Sequence, residues 1–216
     1  MEAKPILGYW HIRGLSEAIR YMLKHIGVDF EDRTYTQGPA PDYDRSAWTD
    51  AKDSLGMSFP NLPYFMDGDF KISETMAIAQ YIALKYKPEF VGTTLQEKGL
   101  VQQLGGVVLD IKNYMSHSCY SPDFNKDRVV QDVKEELPKV VAFLGEKMFL
   151  IGDQITWPDF FLFETLEMLE AFQSGSVAEV STKLVEYRNR IAALSGVAER
   201  IAEPRLQWNN TQAKWL

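Results

Sequence analysis

The hydrophobic period of this chain changes once along its length, and that change restricts it to an α/β layer followed by an all-helical one. Up to about residue 86, short apolar runs of strand length alternate with stretches of helical spacing; beyond it only helical spacing recurs. Residues 5–10 (PILGYW) read as a short buried strand. Leu15, Ala18, Ile19, Met22, Leu23 and Ile26 then recur at helical spacing, and Gly27 stands where a helix C-cap belongs. Val28 to Tyr35 reads as a second strand. Residues 36–47 are rich in Gly, Pro and Asp and read as a loop leading into a short helix over Trp48 to Leu55. Tyr64 to Met66 and Phe70 to Ile72, joined through Asp67-Gly68, carry the signature of a hairpin. Helical spacing resumes with Ala77, Ile78, Tyr81 and Ile82. The order β-α-β-α-β-β-α predicts a small α/β domain over residues 1–86.

Residues 87–94 (KPEFVGTT) suit a linker, and residues 95–216 predict a larger all-helical domain. Val101, Leu104, Val108, Ile111 and Met115 share one helical face, and Gly105-Gly106 predicts a bend in it. Each internal glycine costs about 1 kcal/mol relative to alanine. A second helix carries Val129, Val130, Val133, Leu137, Val140, Val141 and Leu144, with Pro138 predicting a kink. Thr156-Trp157-Pro158-Asp159 is the clearest helix start: Asp159 can reach back to cap, and Ile155 can staple onto Phe160. Residues 177–194 read as one further amphipathic helix.

Composition excludes several function classes. A formal net charge of −7 argues against a nucleic-acid partner and against docking on an anionic membrane surface. Cys119 is the single cysteine, which rules out an intrachain disulfide, a CxxC redox site and a cysteine-rich zinc site. His11, His25 and His117 lack metal-ligand spacing, so no metal is expected. No run approaches the roughly 18 apolar residues of a membrane span, and the first residues hold charges and no apolar leader. The expectation is a reduced, soluble, cytoplasmic protein.

Five separated motifs carry a family resemblance. Leu7-Gly8-Tyr9-Trp10 with Ile12-Arg13-Gly14-Leu15, the loop from Gly38 to Trp48, and Phe59-Pro60-Asn61-Leu62-Pro63-Tyr64 lie in the first part. Cys119-Tyr120-Ser121-Pro122-Asp123-Phe124 and Ile155-Thr156-Trp157-Pro158-Asp159-Phe160 lie in the second. In this order and nearly this spacing they resemble the mu-class glutathione transferases, over all but about the last dozen residues. The resemblance implies a thioredoxin-like N-terminal domain with a cis Pro63, an all-helical C-terminal domain, reduced glutathione as cosubstrate, and a homodimer. It implies an enzyme that joins the glutathione sulfur to hydrophobic electrophiles in detoxification.

The same resemblance assigns roles residue by residue. Tyr9 is implied as the catalytic hydroxyl that donates to the glutathione thiolate; read alone it is a core aromatic. Ser16 and Cys119 remain rival partners for the sulfur, with helix capping and a buried thiol as their ordinary readings. Arg45, Trp48 and Lys52 are implied to hold the glycine carboxylate, although the two cations alone read as solvated surface. Trp10, Leu15, Asn61, Leu62 and Pro63 are implied glutathione contacts, Leu62 through strand-like pairing or else as core packing. Glu74 and Thr75 open a helix suited to the γ-glutamyl carboxylate, or form a plain N-cap. Asp110 is implied to reach the glutathione of the partner subunit. The electrophile pocket is expected from Trp10, Ile12, Leu15, Ser116 and Tyr120, beside Tyr9 and the divergent C-terminus.

Three departures accompany the resemblance. Glu74-Thr75 replaces the usual Gln-Ser, Gln80 and Leu84 replace interface arginines, and about two extra residues separate the domains. Phe59, the family's wedge into the partner, is kept. A glutathione-dependent isomerase or peroxidase, and a non-catalytic carrier of hydrophobic ligands, stand as alternative functions.

Overall fold

A computed structural model describes residues 3–216. The strands β1 (Ile6–Trp10), β2 (Glu31–Tyr35), β3 (Tyr64–Asp67) and β4 (Phe70–Ser73) form one sheet in the order β2-β1-β3-β4. β1 runs parallel to β2 and antiparallel to β3, and β3 and β4 make the expected hairpin. The alternating faces of the strands explain the packing. Leu7 and Phe65 join the main core with α1 (Glu17–Ile26) and α3 (Thr75–Tyr86). Tyr64, on the other face, packs with Tyr35 and with Trp48 of α2 (Ser46–Lys52). Gly8 permits this second cluster: a Cβ there would meet the Tyr64 ring at 2.0 Å. The Leu62–Pro63 peptide is cis, as the thioredoxin-like fold implies.

The second strand and the linker segment differ from the sequence reading. The second strand begins at Glu31, because the Val28 N–H is already donated to the Leu23 carbonyl as α1 closes through left-handed Gly27. Val28 and Phe30 therefore reach the core from a turn. Within residues 87–94, a 3₁₀ turn over Pro88–Val91 buries Phe90 and Val91.

The second part is helical throughout: α4 (Leu95–Ser118), α5 (Lys126–Leu144), α6 (Trp157–Phe172), α7 (Ser176–Val180), α8 (Thr182–Ala192) and α9 (Val197–Ala202). α4 is continuous through Gly105-Gly106. Gly105 serves close packing, since a Cβ there would lie 1.9 Å from the Trp157 ring. α5 is likewise continuous through Pro138. The expected helix over 177–194 is two helices, because Ser181 is extended and its hydroxyl accepts from the Lys183 N–H to start α8.

α6 is the buried axis of this domain, and α1 packs directly against it. Its first turn is closed by Asp159, which is fully buried and accepts from the Thr156 N–H and hydroxyl at 2.7 Å each. The same carboxylate also takes the Leu150 N–H and the Tyr187 hydroxyl. Ile155 and Phe160, the expected staple, are both buried. Between the domains, Arg13 donates to both carboxylate oxygens of Glu164, at 3.1 and 2.5 Å. Among the described residues, no helix is long and apolar enough to cross a membrane.

Candidate active site

The end of β1 and the loop after it build the centre of the site. Tyr9 is buried, and its hydroxyl oxygen accepts the Leu15 N–H at 3.1 Å. Burial pushes its phenol up to about 12, against which the Leu15 N–H works only in part. The group is therefore a neutral donor across the physiological range, and its proton is not spent on the Leu15 contact. Gly14 makes the geometry possible. Its φ is +44°, and a Cβ there would stand 2.6 Å from the Tyr9 hydroxyl.

A cavity of about 220 Å³ opens in front of this hydroxyl. Tyr9, Trp10, Ile12, Leu15, Ser116 and Tyr120 all line it, so the structure brings the expected electrophile-pocket residues together. Sequence reasoning missed the polar remainder of the wall: Asn113, His117, Asn209, Asn210 and Gln212, with Gly14 beneath Tyr9. Tyr120 repeats the arrangement of Tyr9: its oxygen accepts the Asn210 N–H at 2.9 Å, leaving the phenolic proton available. Three larger hollows, of about 340, 580 and 540 Å³, lie beside Arg20 and Arg200, along the outer faces of α4 and α5, and beside Lys4 and Tyr86. None includes Tyr9.

The remaining candidates stand outside the cavity lining, on three neighbouring segments. Arg45 is exposed at the start of α2, where the Asp44 carboxylate accepts the Ser46 N–H and hydroxyl. Trp48 is buried, stacked on Tyr64 at 6.0 Å and edge-on to Tyr35 at 5.3 Å, which fixes its indole. Lys52, half-buried, ends the same helix. Asn61 and Leu62 precede cis Pro63; the Asn61 side chain accepts from the Leu62 N–H and donates to the Glu74 carboxylate at 3.2 Å. Glu74 is exposed at φ +74°, a conformation in which non-glycine residues are strained, and it leads straight into buried Thr75 at the N-terminus of α3.

The rivals of Tyr9 are withdrawn. Ser16 is fully buried, and its hydroxyl neither caps α1 nor has a hydrogen-bond partner. Cys119 is buried, donates to the Met115 carbonyl, and burial pushes its thiol up to about 11. Asp110 is exposed on α4 and borders the outer groove with Val107, Tyr114 and Lys139, away from the Tyr9 cavity of its own chain. His11 contacts the Thr34 hydroxyl and His25 the Ser195 carbonyl. No cluster of metal-ligating side chains is found among the described residues.

The comparison with known proteins decides the family. The model of the glutathione S-transferase N-terminal domain matches residues 5–84, and that of the C-terminal domain matches residues 109–203. The chain belongs to the glutathione S-transferase family. It is 41% identical over 202 residues to glutathione S-transferase Mu 1 of Bos taurus, covering 93% of this chain and 91% of that one. It is 38% identical to glutathione S-transferase Mu 4 of Homo sapiens, covering 92% and 91%. Among solved structures it superposes on the glutathione S-transferase Blo t 8 with a TM-score of 0.85. The two are 28% identical, and the match covers 97% and 98% of the chains. The mu-class resemblance of the five motifs thus extends over most of the sequence, and glutathione transfer is the activity of the family.

Proposed function

We propose that Tyr9 makes the sulfur of reduced glutathione a usable nucleophile in this transferase by donating its phenolic proton to the thiolate. A free thiol with a pKa near 8.5 is only a few per cent ionised at pH 7, and each unit of lowering is worth about 1.4 kcal/mol. The observation that carries the reading is the Leu15 N–H on the Tyr9 oxygen: it fixes the phenol and leaves its proton for an anion in the cavity. The thiolate attacks the electrophilic carbon held against Trp10, Ile12 and Leu15, forming the carbon–sulfur bond as a halide leaves, an epoxide carbon–oxygen bond opens or the π pair of a conjugated carbonyl moves to its oxygen. Charge developing on a carbonyl, epoxide or nitro oxygen can then be met by the Tyr120 hydroxyl.

The tripeptide's charges are matched by the three segments around the cavity. Arg45, Trp48 and Lys52 receive the glycine carboxylate. The strand-like backbone at Leu62, beside Asn61 and Pro63, pairs with the cysteinyl unit. The N-terminus of α3 and the Thr75 hydroxyl take the γ-glutamyl carboxylate, and Glu74, braced by Asn61, faces the ammonium. Asp110 contributes to the same ammonium in the partner subunit of a homodimer, with Phe59, 82% exposed, as the apolar anchor. A single buried cysteine suits a reducing cytoplasm, and the reaction as drawn, a detoxifying conjugation, uses no metal.

The test is a rate measurement with a chloronitrobenzene and glutathione, run beside a hydroperoxide assay. Conjugation should dominate. A glutathione-dependent rate with the hydroperoxide alone would transfer the assignment to a peroxidase, and no rate with either would leave a carrier.

A further inference from the structure

We propose that the C-terminal strap over residues 206–215 is a positioning element for the reaction and that Trp208 holds the Tyr9 phenol in place through the loop that carries Leu15. The proposal rests on the reading of Tyr9 as the thiolate donor. Beyond α9 the chain has no further helix or strand, yet it is tied down along its length. The Gln207 and Trp208 carbonyls accept the N–H groups of Arg13 and Gly14, at 2.8 and 3.2 Å. The Asn210 N–H donates to the Tyr120 hydroxyl, the Thr211 hydroxyl donates to the Gly38 carbonyl at 2.7 Å, and the Lys214 N–H donates to the Cys119 carbonyl at 2.7 Å. One irregular segment thus contacts both cavity phenols' supports and bridges the two domains.

Trp208 is the residue that fastens the strap at the Tyr9 end. Its ring lies 4.2 Å from the Arg13 guanidinium carbon and 5.2 Å from the Lys112 ammonium, and it stacks on Trp215 at 6.0 Å. Arg13 is gripped from the other side by Glu164 of α6, so the loop is clamped between the strap and the helical core. The transmission to Tyr9 is short. Gly14, bonded to the Trp208 carbonyl, is packed against the phenol so closely that no side chain fits between them. The next N–H, of Leu15, is the one that the phenol accepts. A loop released by a few tenths of an ångström therefore misaligns the donor without touching Arg45, Trp48, Lys52, Asn61 or Glu74.

The test compares Trp208→Leu, Trp208→Phe, Tyr9→Phe and Gly105→Ala in the full-length protein. Its readouts are the ultraviolet titration of the bound glutathione thiol, the kcat and KM for glutathione with a chloronitrobenzene, and the melting temperature. Trp208→Leu should raise the apparent pKa of bound glutathione by about half a unit or more and lower kcat about tenfold at neutral pH, with KM for glutathione within about twofold. Trp208→Phe, which keeps a ring over Arg13, should recover most of both. Gly105→Ala, which crowds Trp157 far from the cavity, should lower the melting temperature without moving the titration. If Trp208→Leu does not fold, Trp208→Met keeps the bulk without the aromatic face and should give the same shift. An unmoved titration and kcat in the folded Trp208 variant, with Tyr9→Phe shifted, overturns the role of the strap alone. An unmoved Tyr9→Phe overturns both that role and the reading of Tyr9.

Discussion

The Leu15 N–H donates to the Tyr9 hydroxyl oxygen at 3.1 Å, and this one contact fixes what the phenol can do. An oxygen that accepts from the backbone is held in direction, and its proton is left for a second partner. With the phenol pushed up to about 12 by burial, that proton is retained well past neutral pH.

Glu74 carries a backbone cost that the proposed contact with the glutathione ammonium accounts for. At φ +74° it occupies backbone that glycine adopts freely, while its carboxylate is held by Asn61. Glu74→Gly should stabilise the fold by about 1 kcal/mol, since the left-handed strain on a non-glycine residue is of that order. The same substitution should weaken glutathione binding, because the carboxylate facing the ammonium is lost. Thermal melting and isothermal titration on one preparation check both halves. A gain in stability with unchanged affinity would show that Glu74 does not touch the ligand.

Asp159 is the interior acid whose removal should be most costly. Four donors converge on its carboxylate from Leu150, Thr156 and Tyr187. Asp159→Ala would leave them buried without an acceptor, and about 3 kcal/mol or more of stability should be lost. Denaturant unfolding measures it, and a loss below about 1 kcal/mol would contradict the account of the α6 start.

Phe59 at 82% exposure predicts a partner. Burying such a ring is worth roughly 2 kcal/mol. Phe59→Ser should give monomers by sedimentation, with glutathione affinity falling as Asp110 is withdrawn from the neighbouring site. Mixing Asp110→Ala and Tyr9→Phe subunits should restore some sites with both residues intact. A fully active Phe59→Ser monomer would contradict the shared site.

The sequence carries this fold where local chemistry and packing agree. The strand of Tyr9, the Asp67-Gly68 hairpin and the Thr156–Asp159 helix start are all local signals, and all appear in the structure. The places that the pattern hides are of two kinds, local caps within an apparently continuous segment and contacts that a distant partner decides. The reason for a glycine at Gly105, inside a helix, is Trp157 of another helix, whose ring fills the space above it. Ser181 splits the predicted helix by capping a new one, and Thr94, the last residue of the segment read as linker, forms a capping box with Glu97. The polar wall of the cavity is of the second kind. Asn209, Asn210 and Gln212 reach it from an irregular strap whose path is set by Arg13, Gly14, Gly38 and Tyr120, and no periodicity in 203–216 announces that path.

The measurement that bears most directly on the account is the pH titration of glutathione bound to the wild-type protein and to Tyr9→Phe. In the wild type the thiol should ionise well below its free value near 8.5. Conjugation should rise with that ionisation and hold level beyond pH 10, because a phenol pushed up to about 12 keeps its proton there and loses it only as the pH nears that value. In Tyr9→Phe the thiol titration should return towards the free value and kcat should fall about a hundredfold, with glutathione affinity within a few-fold. A Tyr9→Phe enzyme whose bound thiol titrates and turns over like the wild type would contradict the central claim.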